Sequence, residues 1–168
     1  QKGFVPLTES DYLNFNGLAY YTIWSIGCPY RCSYCGNTKF IENDKSYRKL
    51  RYPSVEYLIN EVKYVLKKYP FVSNIVFYDD SFMAIPSQTL EEFAKQWKKE
   101  IDLPFCVKGV IPSFVKEEKM DILVKGGMNR LRMGIQSGSD RILEFYQRPN
   151  KPGLIPKTVS IIAAFSDY

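Results

Sequence analysis

Apolar residues recur every three or four positions in two long stretches of the chain, which is the spacing of one face of an α-helix. The first stretch predicts an amphipathic helix over residues 53–68. Its apolar positions are Val55, Leu58, Ile59, Val62, Val65 and Leu66. The second stretch starts at Thr89 and Glu92, whose spacing is that of a capping box. Its apolar positions are Leu90, Phe93, Ala94, Trp97 and Ile101.

Shorter apolar runs alternate with these helices and predict strands. The strands are expected at residues 20–26, 74–78, 105–111 and 130–135. A short helix over residues 116–125, ended by Gly126 and Gly127, is expected between the last two strands. Ser139 is expected to cap another helix that continues to about position 147. The apolar run at 159–165 predicts one more helix.

This alternation of strand and helix indicates the α/β fold class. Connections of this length are right-handed and join parallel strands, so we expect a partial TIM-type (β/α) barrel of about four β/α units. The chain has 168 residues, of which 45% are hydrophobic, and it can bury one core. Residues 1–168 are therefore expected to form a single domain, with residues 1–18 as an irregular lead-in.

Three cysteines lie close together directly after the first predicted strand. Cys28, Cys32 and Cys35 are separated by three residues and then by two. Thiolates hold iron-sulfur clusters, and a [4Fe-4S] cluster normally takes four of them. Three thiols in one short loop would hold three corners and leave one iron open for a small molecule.

A structural zinc site is the alternative for this loop, because Cys32 and Cys35 have the spacing of a zinc knuckle. The chain contains no histidine, and its fourth cysteine, Cys106, lies 71 residues beyond Cys35 in an apolar run. A packed core thiol is the expected role of Cys106. Three crowded thiols cannot all pair as disulfides, so reducing, cytoplasmic conditions are expected.

Polar residues follow the second and fourth predicted strands directly. Asp79 and Asp80 come after the second strand, and Gln136 and Ser137 come after the fourth. In barrels of parallel strands the reactive groups lie at the carboxyl ends of the strands. The cysteine loop and both polar pairs are therefore expected at one rim.

Composition limits the possible partners. The net charge is +5, and most lysines fall where solvated helix faces are predicted, so nucleic acid is not an expected partner. The sequence has no run of 18 apolar residues and no signal-peptide layout, so no membrane segment is expected.

The cysteine run resembles the signature of the radical S-adenosylmethionine (radical SAM) enzymes. Cys28, Cys32, Tyr34 and Cys35 match that signature position by position. The segments 78–83 and 133–143, with Arg148 and Pro149 behind the second, sharpen the resemblance toward the cobalamin (B12)-binding type. The resemblance implies a core of six β/α units, so this chain looks truncated and is expected to be inactive alone.

The resemblance also implies cofactors and roles. Cys28, Cys32 and Cys35 would hold a [4Fe-4S] cluster whose open iron binds S-adenosylmethionine (SAM). Reductive cleavage of SAM would give a 5'-deoxyadenosyl radical, with electrons from a reducing protein such as flavodoxin or ferredoxin. Cobalamin would be bound by a domain outside this chain.

The SAM contacts implied by the resemblance come from several loops. Tyr34 would pack near the adenine, and Asp79 or Asp80 would accept hydrogen bonds from the SAM ammonium group. These aspartates stand where the family commonly has two glycines and a glutamate. Gln136 and Ser137 would bind the ribose hydroxyls. The candidates for the SAM carboxylate are Lys108, Arg130 and Arg132.

The expected reaction is a cobalamin-dependent methylation or rearrangement of a small-molecule or lipid-like metabolite. Two alternatives remain open. One is a methylthiotransferase-type radical SAM enzyme that acts on RNA or protein. The other is a non-catalytic zinc-binding module, which metal analysis would distinguish from a cluster protein.

Overall fold

The structure is a computed structural model that describes residues 17–166. Four parallel strands form one open sheet, and their order in the sheet is their order in the chain. The strands are β1 (Ala19–Thr22), β2 (Asn74–Phe77), β3 (Phe105–Val110) and β4 (Met128–Met133). This arrangement confirms the expected α/β class and the partial barrel of parallel strands.

Helices follow each strand. They are α1 (Gly36–Asn43), α2 (Val55–Lys68), α3 (Ser87–Glu100), α4 (Glu117–Gly126), α5 (Asp140–Phe145) and α6 (Leu154–Ala163). Short 3-10 turns at Lys45–Arg48, Phe82–Ala84 and Pro112–Phe114 complete the connections. The first unit therefore carries two helices between β1 and β2, and the last carries two after β4.

Local chemistry accounts for the ends of the central helices. Ser54 accepts a hydrogen bond from the backbone amide of Tyr57 at the start of α2, and Glu56 lies in its positively polarised first turn. At the end of α4, Gly127 adopts a left-handed conformation with φ of 111° and turns the chain straight into β4.

The main core lies between the sheet and helices α2, α3 and α4. Its centre is a group of fully buried aromatic rings that contact one another, with centroids 5.0–6.3 Å apart. They are Trp24, Phe77, Phe82, Phe93, Trp97 and Phe105. Aromatic pairs of this kind contribute about 0.5–1.5 kcal/mol beyond the area they bury. This packing fixes the strands whose carboxyl ends carry the polar loops.

The opposite face of the sheet is partly exposed. Tyr21 and Tyr78 lie there with ring centroids 5.5 Å apart, and the Lys108 ammonium sits 3.6 Å from the Tyr78 centroid. Cys106 is half-buried rather than enclosed in the core, so its predicted role as a packed core thiol is wrong. Its strand neighbours Phe105 and Val107 occupy the fully buried face instead.

Two strands differ from the prediction by two residues or more, and β2 and β3 each end one residue early. The first strand ends at Thr22 instead of residue 26, because the amides of Trp24 and Ser25 donate to Asp79 and Ile26 forms an antiparallel bridge with Arg51. The fourth strand occupies 128–133 instead of 130–135, because Gly127 begins it early.

Helix boundaries also differ from the prediction. The capping box at Thr89 is wrong, since α3 already begins at Ser87 after Pro86. The helix predicted at 159–165 starts five residues earlier, at Leu154. Ser139 occupies the cap position of α5 but makes no side-chain cap hydrogen bond. Helix α1 has no counterpart among the predicted elements.

Residues 1–16 of the predicted lead-in lie outside the described residues, and Gly17 and Leu18 form a turn before β1. Between residues 17 and 166, none of the helices combines the length and apolar character that crossing a bilayer requires.

Candidate functional site

The three clustered cysteines occupy the loop between β1 and α1, at the carboxyl edge of the sheet. Backbone hydrogen bonds shape this loop: the Cys28 amide donates to the Tyr47 carbonyl at 3.1 Å, and the Cys35 amide donates to the Cys32 carbonyl at 3.0 Å. Cys28 and Cys32 are buried, and Cys35 is half-buried. The loop is therefore held by the segment that follows α1 as well as by its own turn.

All three thiols line one cleft of about 270 Å³. Side chains from several other segments line the same cleft. They are Tyr34 of the cysteine loop, Asp80 after β2, Arg132 on β4, Gln136 after β4 and Arg148 after α5. The structure thus brings the cysteine loop together with most of the polar groups predicted for this rim.

Asp79 and Asp80 follow the end of β2 at Phe77, and their side chains have different surroundings. The Asp79 carboxylate is only 4% exposed and accepts hydrogen bonds from the amides of Trp24 and Ser25 and from the Ser25 hydroxyl. It does not line the cleft. Its contacts fasten the start of the cysteine loop to the end of β2.

Asp80 is the aspartate that faces the cleft. Its Oδ2 accepts from the Gly27 amide at 3.0 Å and from the Tyr47 hydroxyl at 2.7 Å, and its Oδ1 accepts from Asn37 Nδ2 at 2.8 Å. A carboxylate oxygen can accept two hydrogen bonds. Oδ1 therefore retains one acceptor position, and Asp80 lines the cleft.

Burial changes the acidity of this region. Desolvation raises the pKa of Asp79 to about 6, although the hydrogen bonds from Ser25 and Trp24 act in the opposite direction. Desolvation, followed by the hydrogen bond to Asp80, raises the pKa of Tyr47 to about 12, so Tyr47 stays a donor. Burial, with a smaller contribution from Asp80, also raises the pKa of the Cys28 thiol.

The loop after β4 places Gln136 in the cleft through an unusual backbone. Gln136 has a φ of 71°, and a Cβ at Gly134 would lie 2.5 Å from its Nε2. Gly134 therefore leaves the space that the Gln136 amide occupies. Ser137 faces away from this cleft, and its Oγ accepts a hydrogen bond from the Ser139 amide.

Of the three basic residues predicted for a carboxylate, only Arg132 lines the cleft. Lys108 instead lies against Tyr78 and donates to its hydroxyl. Arg130 is exposed on β4 and is not part of the cleft wall.

Three residues in direct contact with the site were missed as site residues: Asn37 and Tyr47, which hold Asp80, and Arg148, which lies against Cys32. The only signal for Arg148 was its place behind the Gly-Ile-Gln-Ser-Gly segment. Asn37 and Tyr47 lie in a connection whose course the periodicity does not predict.

Tyr34 lies at the rim of the cleft and is 46% exposed. Its ring packs edge-on against Tyr146 with the centroids 5.0 Å apart. Burial of the hydroxyl and the neighbouring Cys32 raise the pKa of Tyr34 to about 12, while Arg148 lowers it.

Within the described part of the chain, no three cysteine or acidic side chains surround a single point closely enough to hold one metal ion.

A family model described as the radical SAM superfamily matches residues 22–168. The chain belongs to the radical SAM superfamily. The matched region begins at the end of β1 and includes the cysteine loop and every other segment of the cleft.

One curated relative of this radical SAM chain is an uncharacterized methyltransferase of Pyrococcus horikoshii. It is 27% identical over 121 residues, which are 72% of this chain and 25% of the relative. The chain thus spans about a quarter of the length of that relative.

Two solved structures share the fold. The cobalamin-dependent SAM radical enzyme OxsB, with aqua-cobalamin bound, matches 88% of this chain and 22% of its own, with a TM-score of 0.70 and 20% identity. The radical SAM methyltransferase TsrM from Kitasatospora setae was solved with tryptophan and a SAM analogue bound. The match covers 99% of this chain and 32% of the TsrM chain, with a TM-score of 0.72 and 18% identity. A second TsrM structure, which contains cobalamin and a [4Fe-4S] cluster, also has a TM-score of 0.72.

Proposed function

We propose that Cys28, Cys32 and Cys35 hold a [4Fe-4S] cluster that binds SAM at an open iron. The observation that carries this proposal is the single cleft that all three thiols line together with Asp80, Arg132 and Gln136. The donor set fits the group, because a cubane needs thiolates on separate corners and a SAM molecule needs polar partners beside the fourth. When bound, the cluster and SAM would together supply an electron and a cleavable sulfonium.

The residues of this chain would bind and orient SAM. Asp80 would accept a hydrogen bond from the SAM ammonium group at the free position of Oδ1, and such charge-assisted bonds are the strong ones. Among Lys108, Arg130 and Arg132, we assign the SAM carboxylate to Arg132, because it is the one of these three that lines the cleft. Gln136 would bind ribose hydroxyls, and Tyr34 would pack near the adenine.

Asp79 and Ser137 would contribute indirectly. Asp79 holds the start of the cysteine loop through Ser25, and Ser137 supports the loop after β4 through Ser139. Neither residue lines the cleft, so we assign SAM contact to Asp80 and Gln136 instead.

For the parent enzyme we propose a cobalamin-dependent methylation or rearrangement of a small-molecule or lipid-like metabolite. The support is the likeness in fold to OxsB and TsrM, whose structures contain cobalamin, and the methyltransferase name of the Pyrococcus horikoshii relative. This chain covers 22% of OxsB and 32% of TsrM, so a cobalamin domain and the remaining β/α units would come from outside it. A reducing compartment such as the cytoplasm would keep the thiolates available.

A reducing protein such as flavodoxin or ferredoxin is the proposed electron source. An open cavity of about 790 Å³ beside the cysteine loop has four basic side chains in its wall, Arg31, Lys45, Arg48 and Lys49, and one acidic side chain, Glu42. Arg31 lies between two of the proposed cluster ligands. An acidic electron carrier would be attracted to this surface, and the attraction would weaken with added salt.

Metal and sulfide analysis of the anaerobically reconstituted chain tests the proposal. We expect about four irons and four sulfides per chain, because each cubane contains that number. One zinc with no acid-labile sulfide would overturn the proposal and return the loop to the zinc-binding alternative.

A further inference from the structure

Arg148 makes three contacts, and two of them are with the cysteine loop. Its Nη1 lies 3.7 Å from Cys32 Sγ and 3.2 Å from the Tyr34 hydroxyl oxygen. Its Nη2 donates to the Gly134 carbonyl at 2.6 Å. One guanidinium therefore joins a proposed cluster ligand to the end of β4.

The termination of α5 explains why Arg148 points there. Gln147 adopts a left-handed backbone with φ of 51°, its amide donates to the Glu144 carbonyl, and the Arg148 amide donates to the Leu143 carbonyl. These two hydrogen bonds are those of a Schellman motif. Leu143 is only 2% exposed, so its packing fixes the position of α5. The turn that follows therefore sets the direction of the Arg148 side chain.

The end of α5 also contacts the cysteine loop through two of its last carbonyl groups. The Ser33 amide donates to the Tyr146 carbonyl at 2.9 Å, and the Ser33 hydroxyl donates to the Phe145 carbonyl at 3.4 Å. The last carbonyls of a helix lack partners within the helix, and here the loop supplies them. Arg148 contacts Cys32 directly, and this pair of hydrogen bonds holds its neighbour Ser33.

The positive charge of Arg148 should act strongly on the Cys32 sulfur, because Cys32 is buried. Cys32 is 4% exposed, so a positive charge next to its sulfur is screened less than a charge pair at the surface. A reduced iron-sulfur cluster carries one more negative charge than the oxidised cluster, and hydrogen bonds to the sulfurs and nearby charges set its reduction potential.

We propose that Arg148 is a positioning residue that fixes Cys32 and raises the reduction potential of the cluster by donating a hydrogen bond to the Cys32 thiolate. This inference rests on the proposed cluster. It gives a role to Arg148, a residue of the fourth β/α unit. The reduction potential of the cluster would then depend on how α5 packs against the cysteine loop.

The test is the midpoint potential of the reconstituted chain, measured by redox titration under electron paramagnetic resonance. Arg148→Met should make one-electron reduction about tenfold less favourable, a shift of about 59 mV to more negative potential. Arg148→Lys should have a midpoint potential between those of Arg148→Met and the wild type, because lysine keeps the positive charge but lacks the planar set of N–H donors of the guanidinium. Arg141→Met is the matched control, since Arg141 is exposed on the same helix and changes the net charge equally.

A midpoint potential of Arg148→Met equal to that of the wild type, or an equal shift in Arg141→Met, would overturn the tuning role. Amide hydrogen exchange of the unloaded chain provides the second measurement. Arg148→Met should speed exchange in residues 32–35, and unchanged exchange would overturn the positioning role. A wild-type chain that takes up no iron would instead overturn the proposed function, and the tuning role with it.

Discussion

Asn37 donates a hydrogen bond from its side-chain amide to Asp80 Oδ1, with the two atoms 2.8 Å apart. Asn37 lies two residues beyond Cys35 in the first turn of α1, and Asp80 lies three residues beyond the end of β2. The same carboxylate accepts from the Gly27 amide, which precedes Cys28. Asp80 therefore connects both ends of the cysteine loop to the rim of the sheet.

The two aspartates should separate binding from stability when each is changed to asparagine. Asp80→Asn should weaken SAM binding about tenfold or more with the iron content retained, because it removes a charge-assisted hydrogen bond worth about 1.5–3 kcal/mol. Asp79→Asn is the matched control, since Asp79 lies outside the cleft and should change stability only. Equilibrium binding of SAM to the reconstituted variants measures the difference, and equal affinities for Asp80→Asn and wild type would contradict the assignment.

Asp79 should make the stability of the unloaded chain depend on pH. Its pKa is about 6 in the fold and near 3.8 when unfolded, so the folded state takes up the proton first as the pH falls. Its contribution is fully present below about pH 4 and is lost as the pH rises through 6, with a total of order 2–3 kcal/mol. Asp79→Asn lacks this contribution.

Urea unfolding of wild type and Asp79→Asn at pH 5 and pH 8 checks this dependence. All other groups titrate in both proteins, so their effects cancel in the difference between the two free energies of unfolding. The stability deficit of Asp79→Asn relative to wild type should be larger at pH 5 than at pH 8. A deficit that is the same at both values would show that Asp79 is not perturbed.

Gly109 should be essential to the contact between β3 and the aspartate loop. Its φ is 66°, and a Cβ there would lie 1.9 Å from the Asp79 carbonyl oxygen. Gly109→Ala should cost about 3 kcal/mol or more, because it combines a disfavoured backbone with a clash against main chain. Gly138→Ala is the control, since nothing lies within 4 Å of a Cβ at Gly138. Denaturant midpoints compare the two, and an equally small loss in both would contradict the geometry.

Substitutions of Gln136 should change the stability of the chain and its affinity for SAM in different ways. Gln136→Gly should raise the stability by about 1 kcal/mol, because glycine relieves the left-handed backbone, and should weaken SAM binding by removing the amide. Gln136→Ala keeps the disfavoured backbone and removes the same amide. It should lose SAM affinity to the same degree with no gain in stability. If both variants bind SAM like wild type, the ribose contact is not made by this side chain.

The fold was predictable to the extent that it depends on periodic packing. The apolar stripe of α2 and the short runs that became β2 and β3 face one core, and their order along the chain gave the parallel sheet. The prediction of β1 was too long, because the amides of Trp24 and Ser25 bond to a carboxylate 54 and 55 positions away. Local pattern contains no signal for such a contact.

The site was predictable where it depends on strand ends and motifs. The cysteine loop, Asp80 and Gln136 do share one cleft. The choice between Asp79 and Asp80 required the course of the loop after β2, and the contact of Arg148 with Cys32 joins positions 116 residues apart. Helix α1 was missed because it is short and only one of its eight residues, Ile41, is buried.

Electron paramagnetic resonance of the reduced, reconstituted chain, with and without SAM, tests the cluster assignment most directly. We expect a reduced-cluster signal that shifts when SAM is added, in wild type and in Cys106→Ala, and no intact cluster when Cys28, Cys32 or Cys35 is changed to alanine. A signal that survives the loss of any of these three thiols, or that disappears in Cys106→Ala, would contradict the ligand set. A signal in wild type that does not respond to SAM would contradict the open iron.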